Sequence, residues 1–212
     1  MTLAELAFAS FVFSRIDSGA YQRLLRETGE CVDLSRLDHG LAVIRWLNAW
    51  NVRIPGTCHN TLSEQLKLWY ESNQLFDHSL NLRELNDAVL DSIRAAYKSL
   101  MQVECVGPTA AAKILFAVRP KSLMPWDEPI RRELQYSERP RSYVKFLKWV
   151  RSKIQEVGEL CKEHEFELTD LPNILGRPNS TIPKLIDEYL WVTITKRCRP
   201  SKADFQRWAE WS

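Results

Sequence analysis

Apolar positions recur at steps of three and four over most of the chain, the spacing that lays one stripe along a helix. The clearest run is 82–101, where Leu82, Leu85, Val89, Ile93, Tyr97 and Leu100 align over about five turns. The same pattern predicts helices over 3–16, 21–28, 39–50, 61–71, 143–164, 182–195 and 202–211. Arg53-Ile54-Pro55-Gly56, Arg119-Pro120, Arg139-Pro140 and the stretch 171–180, with Pro172, Gly176 and Pro178, mark loops. The best strand candidate, 191–195, sits in helical surroundings that override it. The pattern predicts an all-α fold with no internal repeat.

Composition agrees. Of 212 residues, 45% are apolar and 26% charged, which disfavours a collagen-like, disordered or membrane-spanning chain. Only 7 Gly accompany 8 Trp, a balance that suits packed helices better than a β sandwich. No apolar run approaches the length needed to cross a bilayer, and the run 3–13 contains Glu5 and lacks a basic leader. A cytoplasmic protein is the expectation, nucleoid-associated if bacterial, and a monomer. Five widely spaced cysteines, Cys31, Cys58, Cys105, Cys161 and Cys198, offer neither a disulfide framework nor a Cys-x-x-Cys knuckle, so free thiols are expected. Four scattered histidines give no convincing zinc set, and no metal site is expected.

The net charge of +2 is uninformative, but its distribution is not. Residues 1–112 carry 10 basic and 13 acidic side chains, residues 154–212 carry 8 and 10, and residues 113–153 carry 11 and 4. This middle island comprises Lys113, Arg119, Lys121, Arg131, Arg132, Arg139, Arg141, Lys145, Lys148, Arg151 and Lys153. It suits a polyanion, and it equally suits a solvated helix face.

The island overlaps the most informative segment, 103–132. A tight turn passes through Gly107, and Pro108 stands where a first helical residue tolerates the loss of its N–H. A helix then runs to about Val118. Two helices joined this way leave free N–H groups at the start of the second, a backbone site for one phosphate, with Lys113 one turn on as a point charge. Gly107 is read as a position needing a backbone conformation, or a close approach, that glycine supplies cheaply. Further on, Pro125-Trp126-Asp127-Glu128-Pro129-Ile130 reads as a helix start with Asp127 as N-cap. An Asp in such a place, facing a cleft, can also stabilise a sugar cation and orient a water.

This stretch resembles the helix-hairpin-helix DNA glycosylase superfamily, the HhH-GPD proteins that include endonuclease III, MutY and AlkA. Their signature is a hairpin of the form Leu-Pro-Gly-Val-Gly-x-x-Thr-Ala followed, at a fixed interval, by a catalytic Asp at the start of another helix. Val106-Gly107 matches the hairpin's Val-Gly, Ala111 and Ile114-Leu115 continue its second helix, and Asp127 falls without gaps on the catalytic Asp. The match covers about thirty residues. Cys105 replaces the first hairpin glycine, and Val103-Glu104 the preceding Leu-Pro. Thr109 stands where lyase-competent members hold lysine, and the four-cysteine iron–sulfur loop is absent.

The resemblance implies one unit, 1–212, of two helical lobes flanking a central cleft, with the hairpin motif at about 90–118 and the catalytic loop at about 119–130. It implies a monofunctional DNA base glycosylase that flips a damaged or modified base from double-stranded DNA and hydrolyses its N-glycosidic bond. It implies no iron–sulfur cluster, and leaves room for a monovalent cation at the hairpin. Asp127 would be catalytic; Val106, Gly107, Thr109, Ala110, Lys113, Arg131 and Lys145 would bind DNA. Candidate base-pocket aromatics are Trp46, Trp50, Trp69 and Trp126, for which packing in the core is the alternative. The rival readings are a non-catalytic helix-hairpin-helix DNA-binding module, with Asp127 serving only as a cap, and an all-α protein-interaction domain.

Overall fold

The computed structural model describes residues 1–29, 31–73 and 75–211, with the side chain of residue 210 left aside; among them there are helices and no strand. Helix α1 (Leu3–Ile16) starts on a capping box between Thr2 and Glu5. It is followed by α2 (Ala20–Thr28), α3 (Leu37–Ala49) and α4 (His59–Ser72). Next come α5 (Asp87–Leu100), α6 (Pro108–Val118), α7 (Glu128–Glu133) and α8 (Pro140–Glu163). The chain ends through α9 (Leu171–Ile174), α10 (Ile182–Leu190) and α11 (Lys202–Arg207).

The expected helix 82–101 starts later than its stripe suggested. Leu82–Glu84 is a separate 3-10 turn closed by Asn81 and Glu84, and Asn86 caps α5 by accepting from the Val89 amide. Leu82 and Leu85 are nonetheless buried, so the apolar stripe reported burial correctly while two capping residues broke the helix. The expected loop at 171–180 likewise contains a helical turn, α9, with Pro172 inside its first turn, where proline is tolerated.

The segment 191–195 continues α10 as a π-helical turn, Trp191–Thr195, closed by the Lys196 amide on the Trp191 carbonyl at 2.9 Å. Such turns carry one extra residue in the helical ladder and re-aim the side chains around it.

Helix α6 lies at the centre. Every residue from Ala110 to Val118 is buried, as expected of a helix covered on all sides. It packs against α3 and α5; α3 in turn packs on α2 and α4, while α5 packs on α8. Helix α1 packs on α10 and touches α8. One large apolar cluster runs from Ala20 to Leu190 through α6, and two smaller ones lie under α1. Beside α6, Tyr97, Trp126, Tyr143 and Phe146 form an aromatic block, with Tyr97 and Tyr143 stacked at 4.6 Å. This block fixes the loop that leads into α7: Tyr143 donates to the Met124 carbonyl at 2.9 Å, and Trp126 is 1% exposed.

Candidate functional site

The turn before α6 puts its left-handed residue at Cys105, with φ 65°, while Gly107 is extended at φ −86° and ψ 179°. The expectation that Gly107 needs a glycine-only backbone is therefore corrected. A β-carbon built on Gly107 meets nothing within 4 Å. Gly107 is the N-cap of α6 and supplies no capping side chain. The amides of Thr109 and Ala110 consequently have no acceptor from within the helix. Tyr97 anchors the turn from behind, its hydroxyl donating to the Pro108 carbonyl at 3.2 Å.

Asp127 is the N-cap of α7, as the sequence predicted: its Oδ1 accepts from the Ile130 amide at 3.1 Å. It is half-buried, and Thr195 from the π-helical turn donates to its Oδ2 at 3.2 Å. Arg131, one turn into α7, is buried. It donates to Thr109 Oγ1 at 2.9 Å and to Glu138 Oε1 at 3.2 Å, with its guanidinium over the Trp126 ring. Arg131 thus clamps the start of α6 to α7 and fixes the distance between the free amides and Asp127.

These parts surround one cavity of about 660 Å³. Its lining includes Gly107, Pro108, Thr109 and Ala110 from the start of α6, Asp127 to Pro129 from the start of α7, and Trp50 from the end of α3. Phe13, Asp187, Trp191, Thr195 and Lys196 complete the opposite wall.

The floor is ionic. Lys113 Nζ donates to the Trp50 carbonyl at 2.9 Å and lies 5.3 Å from the centre of the Trp50 ring. Burial pushes its ammonium down to about 8, against the opposing pull of Asp187 and Asp127. Lys184, 1% exposed, donates to Asp187 Oδ2 at 2.9 Å and lies 3.5 Å from Glu188, which Arg177 also holds at 2.6 Å. Burial pushes the carboxyls of Asp187 and Glu188 up, with Lys184 opposing in both cases. Buried ion pairs of this kind cost desolvation energy and add little net stability, while removing one partner would leave an uncompensated buried charge.

The structure brings together Asp127, Gly107, Thr109, Ala110, Lys113, Trp50 and Trp126 around the cavity. Lys113 does not flank the amides from outside, as the sequence suggested, because α6 is buried on all faces and the cavity is its polar outlet. Val106 is buried. Trp46 and Trp69 lie in the core away from the cavity, Trp69 donating to Ser99 Oγ at 3.0 Å. Trp126 touches the cavity edge but is a packed core side chain; Trp50 is half-buried and lines the cavity, with the Trp46 ring at 4.5 Å and the Lys113 and Lys184 ammonium groups 5.3 and 5.0 Å from its ring centre.

The basic island is divided. Lys113, Arg119 and Arg131 are buried, and Arg119 donates to the Phe76 carbonyl at 2.7 Å. Arg151 holds the Leu85 carbonyl, and Arg132, Lys148 and Lys153 pair with Glu128, Asp87 and Glu156. Lys121, Arg139, Arg141 and Lys145 are exposed and, among the described residues, have no carboxylate partner. Arg139 is the N-cap of α8 and follows Glu138, the partner of Arg131, so the exposed cations of α8 begin one contact away from the α6 start.

Sequence reasoning missed Asp187, Trp191 and Thr195. The available signal was charge on an apolar helix: Lys184, Asp187 and Glu188 interrupt Leu185, Ile186 and Leu190, and all six are buried. Among the described residues no group of three or more His, Cys, Asp or Glu is placed to hold a metal ion, and no helix is long and apolar enough to cross a membrane. Comparison of the chain with protein-family models, with curated proteins and with solved structures finds no match.

Proposed function

We propose that this chain is a monofunctional DNA base glycosylase built on a helix-hairpin-helix with two helical lobes about the cavity. One observation carries the reading: the Asp127 carboxylate opens on a 660 Å³ cavity whose rim is the uncapped start of α6. A cavity of this size accommodates a nucleobase turned out of the duplex. The amides of Thr109 and Ala110 hold a backbone phosphate, and the exposed cations of α8 add salt-sensitive grip.

Asp127 is placed for electrostatic work. As the base leaves, positive charge grows on the sugar, and a carboxylate held by the Ile130 amide and the Thr195 hydroxyl stabilises that charge without reorganising. The same carboxylate orients the attacking water. Trp50 walls the cavity, and the Lys113 ammonium and Asp187 carboxyl provide polar contacts to the extruded base. Thr109 has no amine, and Lys113 Nζ is engaged by the Trp50 carbonyl, so the product is an intact strand with an abasic site.

The test incubates the pure protein with duplexes bearing oxidised, alkylated, deaminated and hypermodified bases, and scores alkali-labile sites. Excision should require alkali for strand cleavage, and borohydride should trap no adduct. Asp127→Asn keeps a capping oxygen and should lose at least about a thousandfold in rate while still binding DNA. Full activity in that variant removes Asp127 from the chemistry. A trapped adduct would overturn the monofunctional mechanism and point to Lys113, the amine in the cavity. Binding to every duplex with excision from none would favour a non-catalytic DNA-binding module.

A further inference from the structure

Cys58 and Cys105 are 47 positions apart in sequence, yet their sulfurs are 2.9 Å apart. A disulfide requires about 2.05 Å, so closing the bond needs a shift of less than 1 Å. Both residues are half-buried, and they share a second cavity of about 240 Å³ with Thr57, Thr61, Gln65 and Glu104. Gln65 Oε1 is sealed from solvent and has no hydrogen-bond partner, which leaves an acceptor beside the two sulfurs. The two cysteines also sit on structurally opposed segments. Cys58 ends the 3-10 turn Gly56–Cys58 that leads into α4, and Cys105 is the left-handed residue of the turn that leads into α6.

We propose that Cys58 and Cys105 form a dithiol site that a small hydroperoxide oxidises to an intramolecular disulfide, tying the turn before α6 to the turn before α4. The second cavity, of about 240 Å³, admits an oxidant of this size beside the two sulfurs. Cys105 keeps its proton, its thiol pushed up to about 11 first by the hydrogen bond with Cys58 and then by burial. Cys105 donates that proton to the Cys58 sulfur, and in the proposed sequence Cys58 meets the oxidant first. Cys58 sulfur attacks one peroxide oxygen; the O–O bond breaks, and the departing hydroxide takes the thiol proton and leaves as water. The Cys105 sulfur then attacks the resulting sulfenic sulfur. The S–O bond breaks, and the hydroxyl leaves with the Cys105 proton as a second water. Two thiols lose two electrons, and the peroxide gains them.

The inference stands apart from the glycosylase reading, since nothing in it uses DNA. It is tested on the reduced 212-residue chain with graded hydrogen peroxide, alkylation of the remaining thiols, intact mass and peptide mapping. The expected result is the loss of two hydrogens per chain, a Cys58–Cys105 cross-linked peptide, and three alkylated thiols at Cys31, Cys161 and Cys198. The cross-link closes a long loop, so the thermal midpoint should rise by roughly 10 °C over the reduced form and fall back on adding reductant. Cys58→Ser should form no cross-link, and Cys105 should stay open to alkylation at peroxide levels that close the wild-type pair. Five thiols still open to alkylation, a cross-link joining any other pair, or an unchanged midpoint in the cross-linked chain overturns the proposal.

Discussion

Lys113 shows how far a single residue can depart from the role its sequence position suggests. Its ammonium is held down from 10.5 to about 8, chiefly by burial, in a cavity shared with Asp127 and Asp187. The unfolded chain keeps that proton up to about 10.5 while the folded chain gives it up near 8. In between, the unfolded state binds more protons, so this group makes the fold more stable as pH rises through the window. The full shift is worth about 3 kcal/mol. Lys113→Met should lose that gain: urea unfolding between pH 7.5 and 10 should show wild type improving relative to the variant by up to that amount. Parallel curves would mean that Lys113 titrates normally. Asp127, by contrast, was legible, because an N-cap is a local event encoded by Asp, a nearby Pro and the apolar residue that follows. The inward turn of Lys113 and the burial of Asp187 were not legible, because both depend on which other helices cover α6 and α10.

Among elements, the helices were read from periodicity, and their ends failed where polar side chains compete for backbone groups, as Asn81, Glu84 and Asn86 do ahead of α5. The π-helical turn at Trp191–Thr195 could not be read, since one extra residue in a helix leaves the apolar spacing almost unchanged. It supplies the hydroxyl on Asp127. The start of α6 gives a sharper case. Gly107 has an ordinary extended backbone, and a β-carbon there meets open space, so nothing inside the fold requires glycine. Gly107→Val should therefore cost no more than about 1 kcal/mol, the preference of an N-cap for glycine over valine. If a phosphate approaches the Thr109 and Ala110 amides, the added side chain should still weaken duplex binding by about tenfold or more, the worth of a charge-assisted hydrogen bond. Thermal melting and a binding isotherm on the same sample check both halves; unaltered affinity would move the phosphate away from α6. The strained position is Cys105, where glycine should add up to about 1 kcal/mol by relieving the left-handed backbone.

At the scale of the molecule, the sequence revealed a basic island but not its geometry, because contiguity in a chain of helices does not place charges on one face. Folding turns three of the cations inward, ties four to carbonyls or carboxylates, and leaves Lys121, Arg139, Arg141 and Lys145 exposed. Arg131 and Lys145, equivalent by charge count, therefore behave differently. Arg131→Glu would place a buried anion beside Glu138 and release Thr109, at a cost of about 3–5 kcal/mol in fold stability. The triple change Arg139→Glu, Arg141→Glu and Lys145→Glu touches only exposed side chains. It puts two of its acids at the start of α8, where the helix dipole favours them, so the fold should survive. If each of the three neutralises one phosphate, the slope of log affinity against log salt should fall by roughly 3 in magnitude, with tighter discrimination between modified and plain duplexes left in place. Binding measured from low to moderate salt for both proteins decides it. A slope unchanged by the triple substitution would take the start of α8 out of the interface and leave Lys121, at the far end of α6, as the exposed cation still to be tested.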